Sequence, residues 1–304
     1  MAQRVAGVVT VPAWRSYRWL VAGFSTRQGG RSTAYATGNR PEQNLGFTPE
    51  DDPAWVLENR RQFVMAVAAR AKAKIAPELV TIRQCHTGII RGVERGDLPL
   101  LTEDGKALLR GDALFTGDTD ILLGILTADC VPVLVADTRT HAVAAFHAGW
   151  RGTLARIVER GVGTLQREFG SRPKDLIAAV GPAIGPCCFA VGDEVREEFE
   201  SQFAYAPQLF SEVFDSDPVR EKYPMLFLTA RAPGHSDLGP QIHMDLWEAN
   251  RRQLVDAGVR ASAISVVGEC TACARLKDGR RRYFSHRAEH GFTGRMLSVI
   301  GTTG

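Results

Sequence analysis

The sequence predicts a single domain that mixes strands with helices, and three observations carry this. β-rich apolar runs at Ile121 to Leu126, Val131 to Ala136 and Ala142 to Phe146 follow one another, with a turn-like Asp137 to Thr140 between the last two. Apolar residues recur at helical spacing at Val56, Phe63, Val64 and Val67, and again at Leu154, Ile157, Val158, Leu165 and Phe169. No Pro/Gly/Ser-rich linker, fixed-period repeat or low-complexity tract interrupts the chain, so residues 1–304 read as one domain. A 44% hydrophobic content is ample for a buried core at this length.

Taken in order, a short strand at Trp19 to Ala22 leads into FSTRQGG, Phe24 to Gly30, whose paired glycines suit a sharp turn or a close backbone approach. Arg27 in that loop could reach an anion, the plainer reading being a surface turn. Asn44-Leu45-Gly46 is a second turn signal. Asp51-Asp52-Pro53 marks a helix start, with acidic residues and proline in the first turn. Leu79 to Ile82 reads as a strand that delivers Gln84-Cys85-His86-Thr87-Gly88. A helix is expected near Gly152, a strand at Leu176 to Val180, and then an irregular turn through the Gly- and Pro-rich 181–188, which ends in vicinal Cys187 and Cys188. Asp193 is expected to cap a polar helix running to Phe203. Ala204 to Gly239 reads as an irregular, flap-like segment. His243 to Ala257 reads as a helix closed by Gly258, Ala263 to Val267 as a strand, Arg282 to Arg287 as an edge strand, and Thr293-Gly294-Arg295 as a final loop.

The charge balance, 37 basic against 34 acidic residues, gives a formal +3 that is too slight for a nucleic-acid footprint. The Arg280 to Arg282 run is more simply a solvated loop than a phosphate site. No stretch reaches the length of a membrane span, and the N-terminal apolar run is too short and interrupted for a signal peptide. Six cysteines do not form the pattern of a secreted disulfide framework. The expectation is a cytoplasmic protein with reduced thiols.

The stretch Thr127 to Gly152 sets Cys130 and His147 at the ends of apolar runs, where a rigid sheet can present reactive groups to a cleft. With His86 they would make a three-ligand N/S set, the number that zinc sites with an open position use. Spacing this wide is a weak signal by itself. Asp112 and Asp129 are candidates for orienting such ligands, since metal-bound imidazoles usually donate their second N–H to a carboxylate or carbonyl. The lone C-x-x-C at Cys270 and Cys273 has no second such pair, which argues against a structural metal there.

In order, FSTRQGG, NLG, QCHTG, DALFT, TADCVPVLVAD, FHAGWRG, GPAIGPCCFAVGDEV, DLWEANRRQL, CT and FTGR resemble one family over nearly the whole chain. These are the YfiH-like proteins, named for a multicopper polyphenol oxidase or laccase domain and also described as purine nucleoside phosphorylases. The resemblance implies an α+β fold, a single layered domain with mixed β-sheets flanked by helices. It also implies zinc held by His86, Cys130 and His147, with purine nucleoside and phosphate as partners. Phosphorolysis of adenosine, inosine and methylthioadenosine, and deamination of adenosine, are the implied reactions; some bacterial members are linked to quality control of peptidoglycan precursors. Copper is disfavoured because no H-x-H or clustered His-Cys-Met pattern is present. His286 stands where the family usually has tyrosine, residues 288–290 depart from the following loop, and Cys85 replaces a common valine, changes that bear on substrate preference more than on metal binding.

On this reading zinc brings the ionisation of water near neutral pH, Asp129 shuttles the proton in deamination, and Arg27, Asn44 and Arg151 contact substrate, the two guanidinium groups offering paired donors to phosphate. The rival is a metal-free hydrolase in which Cys130 is the nucleophile and His147 its base, on a fold resembling that of bacterial Cys-His deamidase toxins. A third reading is a non-catalytic partner protein that keeps the pocket as scaffold.

Overall fold

The computed structural model describes residues 7–36, 38–73, 76–213 and 241–303. Its strands are β1 (Val8–Val9), β2 (Leu20–Ser25), β3 (Glu78–Thr81), β4 (Ile90–Gly92), β5 (Ala113–Thr116), β6 (Ile121–Thr127), β7 (Val131–Asp137), β8 (Val143–Ala148), β9 (Leu176–Val180), β10 (Ala190–Val191), β11 (Phe210–Val213), β12 (Gln241–Met244), β13 (Ile264–Val266) and β14 (Met296–Thr302). The described helices are α1 (Pro53–Ala71), α2 (Trp150–Leu154), α3 (Ile157–Phe169), α4 (Asp193–Gln202) and α5 (Leu246–Asp256). The fold is α+β, with three mixed or antiparallel sheets among the described residues.

Two of those sheets stack face to face. The five-stranded one runs β1-β2-β14-β6-β3 and the six-stranded one β13-β9-β7-β8-β5-β4. Alternate side chains of each meet between them, Phe24, Leu123 and Ile300 from one and Leu134, Ala145 and Ala179 from the other. On the far side of the five-stranded sheet, Val21, Leu122 and Val299 pack against Phe63, Val64 and Val67 of α1. On the far side of the six-stranded sheet, Val133, Phe146 and Ala178 pack under α3, α4 and α5. The layers are therefore helix, sheet, sheet, helices. Because both faces of β7, β8, β9 and β14 are covered, every residue in them is buried, which is why β7, β8 and β9 appear in the sequence as largely continuous apolar runs rather than alternating ones. Each such Val, Leu or Ile contributes about 1.5–3 kcal/mol of burial.

Several elements lie where the sequence places them. Helix α1 starts behind Asp52, whose carboxylate accepts the Ala54 N–H at 2.8 Å, with Pro53 at the first position. Others differ. Gly192, not Asp193, is the N-cap of α4; Asp193 falls in the first turn, where its charge still favours the helix N-terminus. His243 and Met244 are strand rather than helix, because they end β12, which pairs with both β10 and β11 in the small three-stranded sheet; α5 begins only after Asp245, which caps the Glu248 N–H at 3.0 Å. Residues 282–287 form no strand, since their backbone groups go elsewhere: Arg282 N–H to Ala274, Arg282 C=O to Arg27, and Arg287 N–H to the Asp129 carboxylate. The chain does not close on a loop. β14 follows Arg295 and sits between β2 and β6 in the middle of its sheet, a strand whose apolar run is broken by Ser298 and Gly301. Within the expected flap, Phe210–Val213 is β11, while 214–240 lie outside the described residues.

Candidate metal centre and cleft

The site is built at one end of the six-stranded sheet. Antiparallel pairing brings the start of β7 beside the end of β8, and the start of β5 beside that, so Cys130, His147 and Asp112 converge from positions far apart in the chain. The fourth contributor is the loop after β3, which carries His86.

Asp112 organises the group. It is fully buried, and its carboxylate accepts from the backbone N–H of Cys85 (3.1 Å), His86 (2.9 Å) and Thr87 (2.6 Å), from the Thr87 hydroxyl (2.7 Å), and from Nδ1 of His147 (2.8 Å). Burial acts to raise its pKa; the His147 and Thr87 donors outweigh that and hold it at about 2. This clamp keeps His86 at φ 57°, a left-handed conformation that costs a non-glycine residue of order 1 kcal/mol. It also fixes the His147 ring, with Nδ1–H donated to the carboxylate and Nε2 turned to the other side. One donor atom each from His86, Cys130 and His147 then lie within 4.8 Å of one another. The imidazole rings meet edge to face, with centroids 4.8 Å apart.

Burial would push the Cys130 thiol up, but His147, and after it His86, bring it down to about 6. Burial would likewise lower His147, which the Cys130 sulfur and Asp112 instead lift to about 9. Thiolate sulfur and imidazole nitrogens converging on one point are a donor set that fits a borderline-soft divalent cation, with room for a ligand from the cleft. Gly149 makes the approach possible: a Cβ there would stand 3.0 Å from Cys130 Sγ.

The three donors lie on the floor of a cleft of about 910 Å³. Its walls carry Arg83, Lys106, Arg287 and Arg295, with Phe47 and Phe189 as aromatic surfaces. His286, the position that departs from the family pattern, also lines it. Asp129 is in the wall at φ 94°, one oxygen accepting from the Thr271 hydroxyl at 2.6 Å and the other from the Arg287 N–H at 2.7 Å.

The three residues expected to contact substrate lie outside this lining. Arg27 is 2% exposed, paired with Glu42 and Glu289 and hydrogen-bonded to the carbonyls of Tyr35 and Tyr283, so its guanidinium is committed to the interior. Asn44 is wholly buried; its amide binds Gly46 O and Asp51, and its oxygen accepts from the N–H of Gly46 and Arg295, so it shapes two cleft-lining positions from behind. Arg151 is exposed in α2 and lies over the Trp150 ring. The arginines that line the cleft follow strands or sit beside motifs: Arg83 just ahead of QCHTG, Arg287 beside His286, Arg295 closing FTGR.

Fold and cleft together define a class, an α+β protein with an N/S donor trio on the floor of an open, cation-walled cleft. Residues 21–303 match the family model described as multi-copper polyphenol oxidoreductase laccase, and the chain belongs to that family. It is 34% identical over 282 residues to a protein named purine nucleoside phosphorylase YlmD from Geobacillus stearothermophilus, covering 92% of this chain and 89% of that one. It is 32% identical over 245 residues to one named adenosine deaminase RL5 from an unknown prokaryotic organism, covering 80% and 82%. Among solved structures, a hypothetical protein YfiH from Bacillus licheniformis superposes with a TM-score of 0.76 at 30% identity, covering 98% and 97%. Relatives named as enzymes support an enzyme here. No helix among the described residues is long and apolar enough to cross a membrane.

Proposed function

We propose that this protein is a purine nucleoside phosphorylase that also deaminates adenosine, working in the cleft above His86, Cys130 and His147. One observation carries the reading: the three donors line the same cleft as the basic residues Arg83, Lys106, Arg287 and Arg295, so a centre suited to a cation and a surface suited to phosphate share one space. The relatives' names, phosphorylase and deaminase, support it from outside.

His86, Cys130 and His147 are the residues that would hold zinc, which when bound supplies Lewis-acid polarisation of an oxygen near neutral pH. Zinc is preferred over copper because the family description calls for several copper centres, while the metal-sized His/Cys groups among the described residues are one His-Cys-His trio and one all-cysteine group. Asp112 holds the His147 ring and the His86 backbone in place. Arg83, Arg287 and Arg295 orient phosphate by paired N–H donors, and Phe47 and Phe189 offer flat apolar faces to a purine. Asp129, one-tenth exposed in the wall with both oxygens already oriented, moves the proton in deamination. The test is to incubate the protein with adenosine, inosine and methylthioadenosine, with and without phosphate. Free base formed only with phosphate, and inosine formed from adenosine without it, are the expected products; no turnover of any nucleoside at high enzyme concentration would sink the reading and favour a scaffold role.

A second reading rests on the Cys130–His147 pair, in which the thiol is drawn down and the imidazole up as in a cysteine nucleophile with its base. It is a metal-free hydrolase, with a cell-wall precursor as one substrate to try. Full activity of metal-stripped protein in chelator would favour it.

A further inference from the structure

The vicinal pair Cys187–Cys188 and the C-x-x-C pair Cys270–Cys273 are separated by more than eighty residues, and neither enters the chemistry of the cleft. The fold nevertheless brings them together. The irregular turn after β9 and the loop after β13 run side by side, held by a bridge between Ala183 and Cys270 and by the Thr271 N–H to Ala183 O bond at 3.0 Å. All four sulfur atoms lie within 4.8 Å of one another.

We propose that Cys187, Cys188, Cys270 and Cys273 form a second, closed metal site for a soft or borderline divalent cation of the zinc class, structural in role and separate from the cleft. Three observations carry it. A tetrahedral four-thiolate zinc site has bonds of about 2.3 Å, which sets the sulfurs about 3.8 Å apart. Cys187 and Cys273 stand at 3.6 Å, close to that edge and far beyond the roughly 2.05 Å of a disulfide. The buried sulfur of Cys270 also accepts the Gly185 N–H at 3.2 Å, the kind of donor that outer-shell partners supply to a coordinated thiolate. Finally, both pairs are presented by tight turns whose own backbone bonds, Cys188 and Phe189 N–H to Gly185 O and Ala274 N–H to Cys270 O, pre-shape the two halves before any ion arrives.

Four thiolates leave no open position, so the ion does no chemistry on substrate; its effect is to clip two loops together. Those loops hold the cleft wall. Ile184 N–H donates to the Asp129 carbonyl at 2.9 Å, and the Thr271 hydroxyl to the Asp129 carboxylate at 2.6 Å. Cys187 and Cys273 are exposed, which leaves the ion a path in and makes serine at those positions a mild change in packing.

The test is independent of the cleft. The full chain is purified without chelator as wild type, H86A and the C187S/C273S double variant; metal per chain is measured, and each apoprotein is reloaded with Co2+ alone. The expected result is that H86A retains about one equivalent, with a four-sulfur coordination shell by X-ray absorption and a strong thiolate-to-cobalt absorption, while C187S/C273S loses that absorption and about one equivalent of metal relative to wild type. Metal and cobalt absorption unchanged in C187S/C273S, a mixed nitrogen–sulfur shell or no metal in H86A, or a Cys187–Cys273 disulfide in protein kept reduced during purification would each overturn it. The shell measured on H86A decides the matter even should the double variant fail to fold.

Discussion

Two sulfur-bearing clusters sit within one fold, and they are made in opposite ways. Cys130 and His147 stand at strand ends and His86 on the loop after β3; the three are braced by one buried carboxylate, mix nitrogen with sulfur, and face open space. Cys187, Cys188, Cys270 and Cys273 stand on two adjoining turns, are all sulfur, and face one another. Donor number and scaffold decide the difference. Three donors on a rigid sheet leave a position for a reactant, whereas four on paired loops complete a shell and hold the loops together. One arrangement is suited to chemistry and the other to staying in place.

The comparison breaks most directly at the cleft. Cys130→Ser is expected to reduce nucleoside turnover by well over about 100-fold, more than loss of an outer-shell partner costs, with bound metal falling in parallel; activity within tenfold of wild type would show that the trio is not the centre. Asp112→Asn keeps the shape but removes the charge and sets an amide N–H₂ against donors, so metal affinity or kcat should fall about 10–100-fold. Metal held by the all-cysteine cluster should stay unchanged in that variant, which sharpens the contrast between the two clusters.

A mutation beneath the sheet tests whether the platform itself matters. A Cβ at Gly161 in α3 would stand 1.9 Å from the Phe146 ring, next to His147 on β8. Gly161→Ala should therefore cost about 1–3 kcal/mol of stability, read by denaturant titration. Arg295→Ala should raise the KM for phosphate by about tenfold, in line with loss of a charged hydrogen bond, and leave phosphate-independent deamination of adenosine nearly unchanged. An equal effect on both reactions would place Arg295 in nucleoside binding instead. Smallest of all, Arg151→Ala should move neither stability, by more than about 0.5 kcal/mol, nor either reaction, because its side chain is exposed and off the cleft.

The sequence alone determined most of the buried strands, β14 excepted. Runs such as Val131 to Ala136 are apolar on both faces because both faces are covered, and a period-free apolar run survives any folding topology. Cap chemistry at Asp52-Pro53 is local because the Asp52 carboxylate accepts the Ala54 N–H two residues on. Side-chain partners were not legible. Whether an arginine faces a cleft or a buried glutamate depends on what the chain brings opposite it: Arg27 is answered by Glu42 and Glu289, while Arg83 and Arg295 line the cleft, Arg295 with its Nη1 held by the carbonyls of Thr293 and Gly294. Nor could spacing reveal that Cys187–Cys188 would find Cys270–Cys273, or that the last apolar stretch would be the middle strand of its sheet. Those are pairings between distant segments, set by sheet order and loop packing, and only the tertiary structure decides them.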